Sequence, residues 1–542
     1  MRTAIPSLVA LFLGILGGGG RTSRGGDLPA ATSAQPGWYH TSGPLRGSLR
    51  SDAPLPLYNP DPAHLWNRLF AVFYIRPSEM PSRPEYPRDS TKLDEWDRKL
   101  RDGKLPPGPV VKRFEGGDTM SLLAWPLTRH YSEPATFARA DKLLEEFIST
   151  HGERLIVDPL KRAFLQRDLW AVFDHLIGQN IARFGDGDLI RRGALDREMY
   201  ESQPEQAFLD DPEALRRREV VCRKLAAIIR RLALPKAAIE ALPDTYAVAV
   251  RSEHFVSRHD FDGQSNYLPP GLLTQPEEWV EIDTSPEPLN FRVREGQIDY
   301  VAWSIRGRSY YRIFWRFPGE RKAVEAYLKY LREEGIDWEK TARNGRVLLK
   351  PDARQIPVGT EAAIVQFMIL LDDRLVPVPT RLVESVRLSV YKNVAGTPDP
   401  ETNTGLGMIG RVYVAQRRLL FNNLAQGGLA RIPDDAPIYQ VLLSGYKDWG
   451  HFGRQQSLIQ TCVHCHMHWK ETRGVFSLLS IFCFAPNGAM PGIVIPMGYG
   501  DIPTLPRSQR IARWKQRQED YLRLVEYARD GQMRAPEQPS KP

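Results

Sequence analysis

Apolar residues recur at helical spacing through the first half of the chain and at strand spacing through the middle. Asn59-Pro60-Asp61-Pro62 reads as a turn and helix start, and His64–Phe73 (HLWNRLFAVF) follows with a 3.6-residue period. Ala138–Thr150 and Asp158–Ile177 repeat that period, the latter with Leu165, Leu169, Val172, Phe173 and Leu176 on one face. Glu213–Leu232 is helical and basic, with Cys222 on its apolar side, and Lys236–Ala241 is a short helix ending at Leu242-Pro243-Asp244. Pro77–Pro109 is broken by prolines and charges and reads as a surface excursion.

From about residue 280 the period shifts towards two. Phe291–Arg294, Ile298–Trp303, Ser309–Phe317, Val347–Lys350, Ala363–Leu371, Val383–Tyr391 and Arg411–Phe421 read as strands, with a helix at Arg321–Glu334. Turns between them make an antiparallel sheet or sandwich the expected form. After Asp434 the pattern is loops and short helices, closed by an amphipathic helix at Arg507–Arg529. The fold class is α+β. It has a mostly helical N-terminal region (58–250), an antiparallel β-rich middle (251–430) with one helix, and a C-terminal loop and helix region (431–530). Residues 21–57 read as a disordered linker and 531–542 as a disordered tail.

At 542 residues, two or three domains are expected. With 42% hydrophobic and 25% charged residues the chain is globular. The formal net charge of +8 is spread along the chain. General solubility accounts for it. A docking face for an acidic redox partner, or peripheral contact with an anionic membrane, is the other use of such charge. Nucleic-acid binding is not supported, since no recognised module accompanies the charge. No internal repeat, phosphate loop or Gly-x-Ser-x-Gly elbow occurs.

Residues 1–20 combine an early Arg2, the apolar stretch Ala4–Leu16 and a glycine run at Gly17–Gly20. This is the pattern of a secretory signal peptide, and the apolar stretch is short for a membrane span. The expected location is periplasmic or extracellular. Few cysteines follow, so the chain is not a disulfide-stapled scaffold.

The chemistry concentrates in Thr461-Cys462-Val463-His464-Cys465-His466-Met467-His468. Cys-x-x-Cys-His is the pattern of covalent haem attachment. The spacing lets one turn bring both thiols to one edge of the porphyrin, while the next histidine reaches the iron. With 4 Cys and 11 His in the chain, random placement would give about 0.0006 such matches. Three rivals use the same residues. They are a zinc site drawing on His464, His468 and Cys483, a disulfide also open to Cys222, and a thiol redox centre.

Two resemblances bear on this. Asn59–Phe73, Leu160–Leu176 and Pro379–Tyr391 resemble an uncharacterised family of exported bacterial proteins that carry one Cys-x-x-Cys-His near the C-terminus. That resemblance spans most of residues 58–470 and implies no particular activity. The motif itself resembles that of the c-type cytochromes. It implies one covalent haem c on Cys462 and Cys465, with His466 as proximal iron ligand and attachment outside the cytoplasmic membrane. The chain departs from a simple cytochrome c in carrying the motif near its C-terminus, without the compact helical domain around it.

The sixth ligand is the least constrained. Met497 lies in the proline-flanked loop Ile495-Pro496-Met497-Gly498. Met490 and His451 are alternatives, and an open position is another. His464 and His468 are badly placed to reach round the ring. Cys483 sits in an apolar run and reads as a buried thiol. Glu333-Glu334, Asp372-Asp373 and Asp434-Asp435 read as solvated pairs, and His254 and His259 as loop residues. Trp303, Tyr310, Tyr311, Phe314, Trp315 and Phe317 read as sheet core. The expected function is one-electron transfer with an unknown redox partner protein. The alternative is a non-redox exported interaction protein whose Cys/His cluster binds zinc or forms a disulfide.

Overall fold

The computed structural model describes residues 56–81, 110–116, 134–177, 212–259, 265–282, 305–306, 308–335, 352–394, 407–432 and 519–533, with 337, 339, 350, 401, 512, 515 and 516 between them. Helix α1 spans Leu65–Tyr74. Its entry is fixed by Asn67, whose amide donates to the carbonyls of Asn59 and Asp61, both at 2.7 Å, and accepts from Tyr58 N at 2.8 Å. Trp66 and Phe70 face inward, and the Trp66 indole donates to Gly152 O at 2.8 Å. Strands β1 (Ile75–Pro81) and β2 (Val110–Gly116) pair antiparallel as a separate two-stranded ribbon. The start of the expected surface excursion is therefore a strand. Pro77 and Pro81 are tolerated because a ribbon strand bonds along only one edge.

Helices α2 (Pro134–Ser149), α3 (Pro159–Ile177) and α4 (Pro212–Leu232) match the periodic segments. Asp158 caps α3, accepting from Leu160 N at 2.8 Å and Lys161 N at 3.1 Å, with Pro159 in the first turn. The short α5 (Lys236–Glu240) follows. The turn at Leu242–Asp244 leads into a helix the sequence did not announce, α6 (Thr245–Arg251), capped by Asp244 at 2.9 Å from Ala247 N.

Among the described residues the main sheet has seven strands, all antiparallel, in the order β3 (Val280–Ile282), β5 (Ser309–Arg316), β6 (Glu361–Leu371), β7 (Pro377–Tyr391), β8 (Met408–Ala415) and β9 (Leu429–Arg431). Strand β4 (Ile305–Arg306) pairs with the start of β5. Helices and this sheet make the described part of the chain α+β. Helix α7 (Glu320–Tyr330) follows β5 and continues as a π turn through Gly335, where Glu333 and Glu334 lie. The β6–β7 turn is held by Asp372, whose carboxylate accepts from Arg374 N at 3.0 Å and Val376 N at 2.7 Å. Asp372 is thus a buried turn residue, not a solvated one.

Alternation along β5 gives the sheet two apolar faces. Tyr310 and Phe314 join the large core shared with α1 to α4, while Ile313, Trp315 and Phe317 pack with Val324 and Leu328 of α7. Helical and β regions therefore share one core.

Two expectations shift at the ends. The strand expected over Arg411–Phe421 stops at Ala415, and Arg417–Phe421 forms helix α8. Gln416 N donates to Gly428 O at 2.8 Å, closing the last rung, and the chain turns so that Arg417 enters the core. The final helix, α9, spans Glu519–Met533 and runs past Gly531. The expected strands at Phe291–Arg294 and Ile298–Trp303, and Val347–Leu349 of another, lie outside the described residues, as do the signal segment and the linker up to residue 55.

Gly427 carries a testable detail. Its φ is +61°, and a Cβ there would stand 2.2 Å from Thr245 O and 2.6 Å from Ala249 N, against α6. Gly427→Ala is expected to cost on the order of 3 kcal/mol in urea unfolding, from left-handed strain plus overpacking. Gly359→Ala, with φ +85° and only Pro318 Cγ at 3.1 Å, should cost less.

Candidate functional site

Cys462, Cys465, His466 and Met497 all lie outside the described residues, as do His451, His464, His468, Cys483, Met490 and the pair Asp434-Asp435. Among the described residues no group of His, Cys, Asp and Glu is arranged to hold a metal ion. Among them, too, no helix is long and apolar enough to cross a membrane.

What the structure does bring together is a layer of buried charge centred on α3. The segment Ala163–Asp174 is buried on every side, so its polar residues have no route to water. Each finds a partner on a different segment. Asp168 receives Arg417 of α8 in a two-pronged pair, Nη2 to Oδ1 at 2.6 Å and Nε to Oδ2 at 2.9 Å. The Tyr58 hydroxyl donates to the same Oδ2 at 2.9 Å, and the Tyr74 hydroxyl to the Asp168 carbonyl at 2.9 Å. Arg167 Nε donates to Glu384 Oε1 of β7 at 2.7 Å. Glu384 also accepts from Ser309 Oγ at 2.5 Å and from the Gln366 amide. Arg308, just before β5, donates to Asp174 Oδ2 at 2.6 Å. Gln166 pairs with both backbone groups of Leu371, donating at 2.9 Å and accepting at 3.1 Å.

Among these described pairs, Arg417, Arg167 and Arg308 each meet one carboxylate, as buried ions require. Burial works against the charged form of Arg417, but the Asp168 carboxylate and the Tyr58 and Tyr74 phenol groups outweigh it and its pKa is raised. Arg167 follows the same pattern with Glu384. Burial, then the Asp168 charge, pushes Tyr58 and Tyr74 well above the usual phenol value. Arg417 and Arg167 therefore stay charged and the Tyr58 and Tyr74 hydroxyls stay protonated across ordinary pH. Arg417 also lies over the Phe70 ring at 4.6 Å.

A smaller cluster closes the far end of the same sheet face. Glu361 accepts from the Tyr267 hydroxyl at 2.8 Å and from Arg316 at 2.6 Å, and His259 Nδ1 stands 3.5 Å away. His254 packs edge-on against Phe255 and contacts Asn266 at 3.0 Å, and burial lowers its pKa. Tyr310, Phe314, Trp315 and Phe317 are core, as expected.

Sequence reasoning did not single out Gln166, Arg167, Asp168 and Asp174, because a polar helix face ordinarily meets water. The signal was present elsewhere. Glu384 interrupts Leu382-Val383-Glu384-Ser385-Val386 on a strand whose neighbours are apolar, and an acid there needs a buried cation. Compared with known proteins, the chain matches no protein-family model, no curated protein and no solved structure.

Proposed function

We propose that the protein is an exported mono-haem c-type cytochrome-like protein that transfers single electrons to or from a redox partner protein. The observation that carries this reading is Cys462-Val463-His464-Cys465-His466. Two thiols three residues apart, with an imidazole next to the second, are the donor set that covalent attachment and proximal ligation need. Bound there, haem supplies iron that alternates between two oxidation states. Cys462 and Cys465 would hold the group, His466 would ligate its iron, and Met497 is the candidate for the other iron ligand. The signal-like start at residues 1–20 supports export to the periplasm or beyond. The net positive charge suits an acidic partner surface.

The test is a visible spectrum of the full chain, expressed with haem-maturation machinery and exported. The expected result is a ferrous c-type spectrum that survives acid and acetone extraction. A colourless protein with stoichiometric zinc would contradict it and favour the interaction-protein alternative. In coloured protein, oxidised wild type should show the weak near-infrared sulfur-to-iron band, lost in Met497→Ala and kept in Met490→Ala. If wild type lacks the band and binds carbon monoxide readily when reduced, the sixth position is open and the Met497 assignment fails.

A further inference from the structure

The ion pairs on α3 do not use every N–H that they bury. Arg167 spends Nε on Glu384, and Arg308 spends Nη1 on Asp174. Three donors remain, Arg167 Nη2, Arg308 Nε and the indole Nε1 of Trp170. None of them has a hydrogen-bond acceptor among the described residues. All three side chains are sealed from bulk water, with Arg167 1%, Trp170 0% and Arg308 3% exposed.

The donors belong to one side of the helix. Positions 167, 170 and 174 are spaced i, i+3 and i+7, and so fall within about 60° of one another round α3. Arg308 joins that stripe through Asp174. Arg167 and Arg308 both act electrostatically on the Tyr74 phenol, so the two guanidiniums lie within reach of one group. Asp168 lies about 100° round the helix from Arg167, where Arg417 and Tyr58 already use its carboxylate.

A buried donor left unmet costs about as much as the hydrogen bond it forgoes. Charge decides what meets these three. Arg167 and Arg308 each have a carboxylate, and a further anion would bury a negative charge with no cation of its own. Both oxygens of Glu384 are also taken, Oε1 by Arg167 Nε and Oε2 by Ser309 and Gln366. The acceptor that fits is small and neutral.

We propose that the seam between α3 and the sheet is a binding site for internal water, enclosed on folding, which accepts from Arg167 Nη2, Trp170 Nε1 and Arg308 Nε. Buried water of this kind satisfies polar groups that the protein does not pair, and is part of the structure. The site uses no residue of the Cys-x-x-Cys-His motif and stands whether or not haem is attached.

The test is magnetisation transfer from water to the tryptophan indoles of the full chain, labelled with nitrogen-15 at Nε1. The Trp170 signal is assigned by its loss in Trp170→Phe. Its indole proton should show a rotating-frame cross-peak to water of dipolar sign, opposite to that of proton exchange. The Trp66 indole, which donates to Gly152 O, should show none. No dipolar cross-peak at Trp170, or an equal one at Trp66, would overturn the proposal. A crystal structure of the unaltered chain decides the arginines, and decides Trp170 as well if Trp170→Phe fails to fold. Density at about 2.7–3.2 Å from Arg167 Nη2 and Arg308 Nε should refine as water. Protein acceptors in those places, no density, or an anion that bromide replaces with an anomalous signal would each overturn it.

Discussion

Asp168→Asn should lose about 3–5 kcal/mol of stability, the cost of leaving a buried charge without its partner. Asp168 and Arg417 are both fully shielded from water. Removing the carboxylate charge takes from the Arg417 guanidinium, buried beside the rings of Phe70 and Tyr74, the two-pronged ionic partner it holds in the core. The Tyr58 hydroxyl loses its ionic acceptor as well. A domain is stable by only about 5–15 kcal/mol, so one such change removes a large share. Urea unfolding should show a midpoint far below wild type with an unchanged slope. Asp168→Leu combined with Arg417→Met should recover much of the loss, because the pair is then removed together. A single variant within about 0.5 kcal/mol of wild type would show that water reaches this layer.

The second large effect is all-or-none. Cys462→Ser with Cys465→Ser should abolish covalent haem, since no other pair of cysteines in the chain has this spacing followed by histidine. His466→Ala should keep some covalent attachment but lose the normal spectrum, because the thioether bonds and the iron bond are separate. The doubly substituted chain should still fold, since the large described core contains neither cysteine. Loss of the folded core along with the haem would mean instead that the segment organises the whole protein.

Much of the fold could be read along the chain because its local signals agree. Asp158-Pro159 starts α3 where capping chemistry requires, and Ser309–Phe317 alternates cleanly because its two faces meet different apolar partners. The misreadings have one physical origin. Period alone does not say what covers a face. The polar positions 166 to 168 drew no reading from the period, and the sheet and α8 cover them with matched polar and charged partners. Arg417 looks like strand continuation, and becomes helix because its guanidinium is needed at Asp168, 249 residues away in sequence. The Pro77–Pro81 stretch looks like loop, and pairs because its partner Val110–Gly116 is distant in sequence. The proposed haem site rests on the spacing of Cys462, Cys465 and His466 alone, a signal that requires no tertiary information. Whether Met497, Met490, His451 or no side chain would take the remaining ligand position depends on tertiary folding, and spacing carries none of that.

The most direct test of the proposed function is the intact mass of the chain recovered from the periplasm of a host with haem-maturation machinery. The expected result is a chain shortened near residues 20–34 and heavier by one haem, with the added mass absent from the Cys462→Ser/Cys465→Ser variant. A mature chain at its unmodified mass, carrying one zinc ion under native conditions, would contradict it.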